Sequence, residues 1–186
     1  MYEKIENDKY YHIFNQAKGV VTIFKAPRNY LFFINKLEKH KTPVCELIVY
    51  CLIKNHFHLV VKTKDINDSK ISRAFVNKFI VYAKAFTKTY ERSASLFKKP
   101  FKRKIIASES YLKNVLLYVH CNAIKDGFVE DPVSYPWSSY LELLDETKIF
   151  LARGLVAELF DNKSNFQAAR KHYLTHIDFI PTFDNN

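Results

Sequence analysis

The chain has 186 residues, 48% of them apolar, 16% aromatic and 26% charged, a balance that fills a sizeable core and excludes a disordered or collagen-like polymer. Its only glycines, Gly19, Gly127 and Gly154, cannot supply a Walker-type phosphate loop or a dinucleotide fingerprint, so no nucleotide cofactor is expected. Lys and Arg exceed Asp and Glu by 29 to 19, a net charge of +10, which points to a polyanionic partner: nucleic acid first, an anionic membrane second. No apolar run approaches the roughly 20 residues that span a bilayer, and the start MYEKIENDKY is polar, so no membrane association and no export signal are expected. Cys45, Cys51 and Cys121 are odd in number and lack a C-x-x-C pair; they fit a reducing, cytoplasmic setting.

Tyr10 to Phe14 is rich in β-forming residues and predicts a first strand. After Ala26-Pro27, the apolar positions Tyr30, Phe33, Ile34 and Leu37 recur at helical spacing until Pro43. Cys45 to Ile53 is almost continuously apolar, the pattern of a strand covered on both faces. His56 to Thr63 alternates, with Phe57, Leu59 and Val61 toward the core, and the two residues Lys54-Asn55 make a hairpin of the pair. A long helix follows a cap at Asp68-Ser69, its apolar stripe formed by Phe75, Phe79, Tyr82, Phe86 and Tyr90. Phe101 to Ala107 predicts another strand, and Ser108 or Ser110 caps a helix to about Ile124. The aromatic stretch 133–140 reads as a turn, and the remainder as helical until Pro181. The order βαββαβ fits an α+β, ferredoxin-like antiparallel sheet with helices on one face and the other open for function.

His56-Phe57-His58 is the sharpest local feature. Residues i and i+2 of a strand share a face, so the two imidazoles stand side by side and can hold a divalent ion, although two polar residues on an open sheet face would read the same. His12 on the first strand could lie nearby, with a structural hydrogen bond the simpler role. Between residues 84 and 104 stand eight basic residues, Lys84, Lys88, Arg92, Lys98, Lys99, Lys102, Arg103 and Lys104, against one acid, Glu91. A solvated face is the usual meaning of a charge run, but this one repels itself without an anionic partner. The interleaved Phe97 and Phe101 offer stacking surface for unpaired bases. Periodicity places Tyr82 in the core stripe, and Glu109 and the acids at 126–131 look like surface or turn residues.

The segments CLIKNHFHLVVKT, ISRAFVNKFIVYAKAF, SLFKKPFKRKII and YLKNVLLYVHCNAIKDGFVEDPVSYPWSSY occur in an order that resembles the single-tyrosine transposases of the HUH superfamily, and within it the REP-associated branch. The resemblance covers residues 9 to 141, leaving about 142–180 as a helical extension of one domain spanning 1–186. It implies an HUH nuclease fold in which His56 and His58 hold Mg²⁺ or Mn²⁺. It matches the nucleophilic tyrosine to Tyr82, in preference to Tyr90 on the same helix, and implies a Tyr82 hydroxyl that emerges toward the histidines. It implies attack on single-stranded or hairpin DNA through a 5′-phosphotyrosine intermediate. Relatives place an amide shortly after that tyrosine; here Phe86 and Thr87 stand four and five residues after Tyr82. The usual glycine before S-L-F is Ala94, and Ala123 follows Asn122 where proline is common. The competing readings are a DNA-binding protein of the same fold with weakened or silent catalysis, and a metal hydrolase of another anion, which needs a deep pocket. Oligomeric state is not legible in these residues.

Overall fold

A computed structural model describes residues 5–38, 44–145 and 153–176. Four strands, β1 Tyr10–Gln16, β2 Cys45–Ile53, β3 His56–Thr63 and β4 Lys102–Ile106, form one sheet in the order β2-β3-β1-β4 with every neighbouring pair antiparallel. Helix α1 spans Pro27–Glu38, α2 Asp68–Thr89 and α3 Glu109–Lys125, so the element order is the predicted βαββαβ followed by α; the short helices α4 Tyr140–Leu144 and α5 Arg153–Leu159 come after it. The boundaries of β2 and β3 and the turn at residues 54–55 fall where the residue pattern put them. Pro43 and Pro181, read as helix stops, and residues 146–152 and 177–180 of the extension lie outside the described residues. The α2 cap is Asn67, whose side chain accepts the Ser69 amide, rather than Asp68-Ser69. Ser108 caps α3 by accepting the Tyr111 amide.

One expectation about the sheet is overturned. Both faces are covered, and there are two cores. Tyr11, Ile13, Leu52, Phe57, Leu59 and Val61 pack with α1 and α2, through Phe33, Phe75, Phe79 and Tyr82. Val49, Cys51, Ile53, Val60 and Ile106 pack with α3. The physical reason lies in α3. Val115 through Ala123 are all buried, and a helix apolar around its circumference must be enclosed, here by the sheet on one side and α6 (Lys163–Thr175) on another. Phe166 and Tyr173 of α6 complete that core. The stretch after Trp137 is sewn onto β2. Leu52 N–H donates to the Trp137 carbonyl, and Ser139 N–H to that of Tyr50, both at 2.9 Å. All three cysteines are free thiols and buried. Among the described residues, no helix is long and apolar enough to cross a membrane.

Candidate active site

The β1–β3 register sets Phe14 opposite His58 and His12 opposite Val60, so alternation brings His12, Phe14, His56 and His58 onto the face that α3 covers. Phe57, buried, points to the other face and fixes the strand. The His56 and His58 rings stand 5.0 Å apart, nearly perpendicular. His12 Nε2 lies 3.0 Å from His58 Nδ1 within the protein interior. Burial first, then the neighbouring His58 and Lys104, hold the His12 pKa well below the ordinary value, so His12 is a neutral partner that orients the His58 ring. His56 is the accessible member. Its Nδ1 sits 2.9 Å from the Asn55 side-chain oxygen, and its Nε2 sits 3.5 Å from Asp126 at the end of α3. Sequence reasoning assigned Asp126 to the surface; only the tertiary fold brings it to this histidine.

A cavity of about 250 Å³ opens in front of these rings, lined by Phe14, His56, His58, Lys98, Lys99 and Lys102 among others. The β1–β4 register explains which cations reach it: Lys102 and Lys104 pair with Phe14 and His12 and share their face, while Arg103 pairs with Ile13 and faces α2. The Lys102 ammonium lies 5.8 Å from the centre of the Phe14 ring. The basic run therefore divides around the β4 edge. Lys84 and Lys88 line a separate groove beside α2, and Arg92 is occupied with the Ala94 and Ser95 carbonyls. Phe97 and Phe101 do not offer the predicted stacking surface. They are 5% and 6% exposed and packed in the α1/α2 core, because Phe79 lies against both rings.

The same geometry places Tyr82, the tyrosine that the resemblance matches to a nucleophile, away from the histidines, and its hydroxyl does not emerge toward them. Tyr82 is 1% exposed, belongs to the core on the face opposite the histidines, and its hydroxyl donates to the Ile23 carbonyl at 2.6 Å. Burial raises its pKa further above the ordinary phenol value. Tyr90 is also remote, its hydroxyl donating to the Asn29 side chain at 2.9 Å. The tyrosine that does meet the histidines is Tyr118 on α3. Its ring stands edge-on to His58 at 5.7 Å and to His12 at 6.1 Å, with the Lys125 ammonium 5.3 Å from its centre. A signal for it was present in the chain. The amide missing after Tyr82 is found four residues after Tyr118, as Asn122, one helical turn on and buried.

Two imidazoles, one braced by a neutral histidine, suit a divalent ion as far as they go. Among the described residues no group of three or more His, Cys, Asp or Glu is arranged to hold a metal, so any remaining ligands would be amide, phosphate or water oxygens.

The fold and site together define an antiparallel α+β protein with a histidine pair and a tyrosine beside a basic cleft, a cleft whose charge suits an anionic group. Known proteins narrow the class. A protein of Haemophilus influenzae, provisionally named a REP-associated tyrosine transposase, is 23% identical over 121 residues, covering 58% of this chain and 69% of the relative. The solved structure of a REP-associated tyrosine transposase bound to a REP hairpin superposes with a TM-score of 0.62 at 15% identity, over 82% of this chain and 89% of that one. The first agrees with the resemblance carried by the motifs, and the second shows a shared fold. A bacterial tRNA(His) guanylyltransferase-like protein in complex with GTP reaches a TM-score of 0.43 at 9% identity, too slight a likeness to carry an argument. No family model matches the chain.

Proposed function

We propose that the protein nicks and rejoins single-stranded, hairpin-bearing DNA in the manner of a transposase, with Tyr118 as nucleophile and His56 and His58 as ligands for Mg²⁺ or Mn²⁺. The observation that carries this reading is the Tyr118 ring at 5.7 Å from His58, on the face that also carries the basic cavity. Lys98, Lys99 and Lys102 hold a phosphodiester against the histidines by charge. A bound divalent ion would polarise that phosphate and offset the charge that develops on it. The Tyr118 oxygen forms a bond to phosphorus, the bond from phosphorus to the 3′-oxygen breaks, the phenolic proton passes to water and the departing oxygen takes one up. The 5′-phosphate stays on the tyrosine, so the ester bond is conserved for rejoining without a nucleotide cofactor. Asp126, 3.5 Å from His56 Nε2, is placed to orient that ring.

Tyr118 is 3% exposed and does not line the cavity, so attack requires the ring to rotate or the end of α3 to shift. That burial is the specific observation favouring the second reading, a DNA-binding protein of the same fold with silent chemistry. Incubation with hairpin-tipped single strands and Mn²⁺, followed by denaturing electrophoresis, separates the two. The nuclease reading expects a covalent adduct from the wild type and Tyr82→Phe and none from Tyr118→Phe. Binding with no adduct from any protein supports the silent reading.

A further inference from the structure

Helix α2 carries a second apolar stripe besides its buried one. Val76 and Ile80, each 41% exposed, follow one another at a spacing of four, with Ala83 three residues on, and form the floor of a groove of about 790 Å³ between α2 and the segment 94–101. Exposed β-branched residues in a row on a helix are unusual for a surface that faces only water. The rim is equally unusual. Lys84 and Lys88 stand on the α2 wall, Lys98, Lys99 and Arg103 on the other side, and no acid lines the groove. None of those four lysines makes an ion pair among the described residues, and Lys84 and Lys88 are one turn apart, a spacing at which like charges repel. Lys98, Lys99 and Pro100 line both this groove and the histidine cavity, so the two spaces meet across that loop.

We propose that this groove holds an unpaired DNA strand that continues from the phosphate at the histidines, with bases laid on Val76 and Ile80 and phosphates on the lysine rims. The inference rests on the DNA reading above and extends it to the far side of the β4 edge. A single strand is the occupant that matches both surfaces at once: its bases present apolar faces and its backbone one negative charge per nucleotide, whereas a duplex keeps its base faces stacked inside.

Fluorescence anisotropy tests this with a blunt hairpin, the same hairpin with an unpaired 5′ or 3′ tail, and a tail of abasic nucleotides. The wild type should bind one of the base-bearing tails about tenfold more tightly than the blunt hairpin, and the abasic tail should lose most of that gain. Val76→Ser/Ile80→Ser should lose the gain while binding the blunt hairpin unchanged; both positions are exposed, and a thermal melt confirms the fold. Lys84→Gln/Lys88→Gln should flatten the salt dependence of the tailed complex alone, by about 0.7 log unit for each phosphate no longer neutralised. No gain from either tail in the wild type, or a gain that survives the serine variant, overturns the proposal. So does self-association that the serine variant abolishes while the tail's gain persists, since the groove is then an interface between copies. The outcome is independent of Tyr118: a tail-dependent gain without any covalent adduct leaves the groove standing and removes the nuclease reading.

Discussion

A phenol can serve as a nucleophile only where its oxygen reaches the electrophile, and the two tyrosines in question differ in that respect by the full thickness of the sheet. Tyr82 spends its hydroxyl on the Ile23 carbonyl in the α1/α2 core, so Tyr82→Phe should lower stability by about 1 kcal/mol, read from denaturant unfolding, while leaving DNA chemistry intact. Tyr118→Phe should leave DNA affinity within about twofold, because the ring that packs on His58 remains, and should abolish the adduct. His58 is oriented by His12 at 3.0 Å. Replacing His12 with Phe removes that partner, and calorimetry should show Mn²⁺ binding weakened by about tenfold or more, the usual effect of losing an orienting neighbour; an unchanged isotherm would assign His12 to packing alone.

Helix α3 both closes the second core and presents Tyr118, and a small polar knot fixes its position. His120 Nε2 lies 2.9 Å from Ser139 Oγ, which accepts the Tyr50 amide at 2.8 Å, so α3, β2 and the segment after Trp137 meet at one hydroxyl. Ser139→Ala should cost about 1 to 3 kcal/mol, since it strands buried partners. Burial, and then the Arg170 charge, push the His120 pKa down from 6.5 to about 3. The unfolded chain therefore binds more protons than the fold between those values. The stability His120 contributes is complete above pH 6.5 and falls as pH drops toward 3, by about 1.4 kcal/mol per unit for one proton. His120→Gln should reduce the slope of stability against pH by up to that amount; an identical slope would contradict a buried neutral His120. This helix is also where sequence reasoning stopped. Strands β2 and β3 were legible because a short apolar run bearing Val, Ile and Tyr and a largely alternating run meet at a two-residue turn, which favours a hairpin. Helix α3 is apolar around its circumference, so periodicity names no face, and Tyr118 looked like any other residue of it. The histidine pair followed from strand alternation, whereas Asp126 reaches His56 only through the fold. Phe97 and Phe101 failed in the opposite sense: their neighbours are basic, but the rings themselves complete a core.

At the scale of the whole molecule, the sheet divides two kinds of work. One face carries the larger part of the aromatic packing, and the other joins a hydrophobic core to a histidine site at the β3–β1 end. The positive charge is concentrated at the β4 edge, where Lys102 faces the histidines and Arg103 the opposite side. Neutralising Lys98, Lys99 and Lys102 together should reduce the slope of log affinity for single-stranded DNA against log salt by about 0.7 for each phosphate that loses its cation, up to three phosphates. An unchanged slope would detach these cations from DNA binding. The central claim is that Tyr118, beside His58, is the residue that takes DNA covalently. It is tested most directly by digesting the protein after reaction with a hairpin-tipped strand and Mn²⁺ and finding by mass spectrometry which tyrosine carries the nucleotide. The account predicts a 5′-phosphotyrosyl nucleotide on Tyr118; the same modification on Tyr82 or Tyr90 would contradict it.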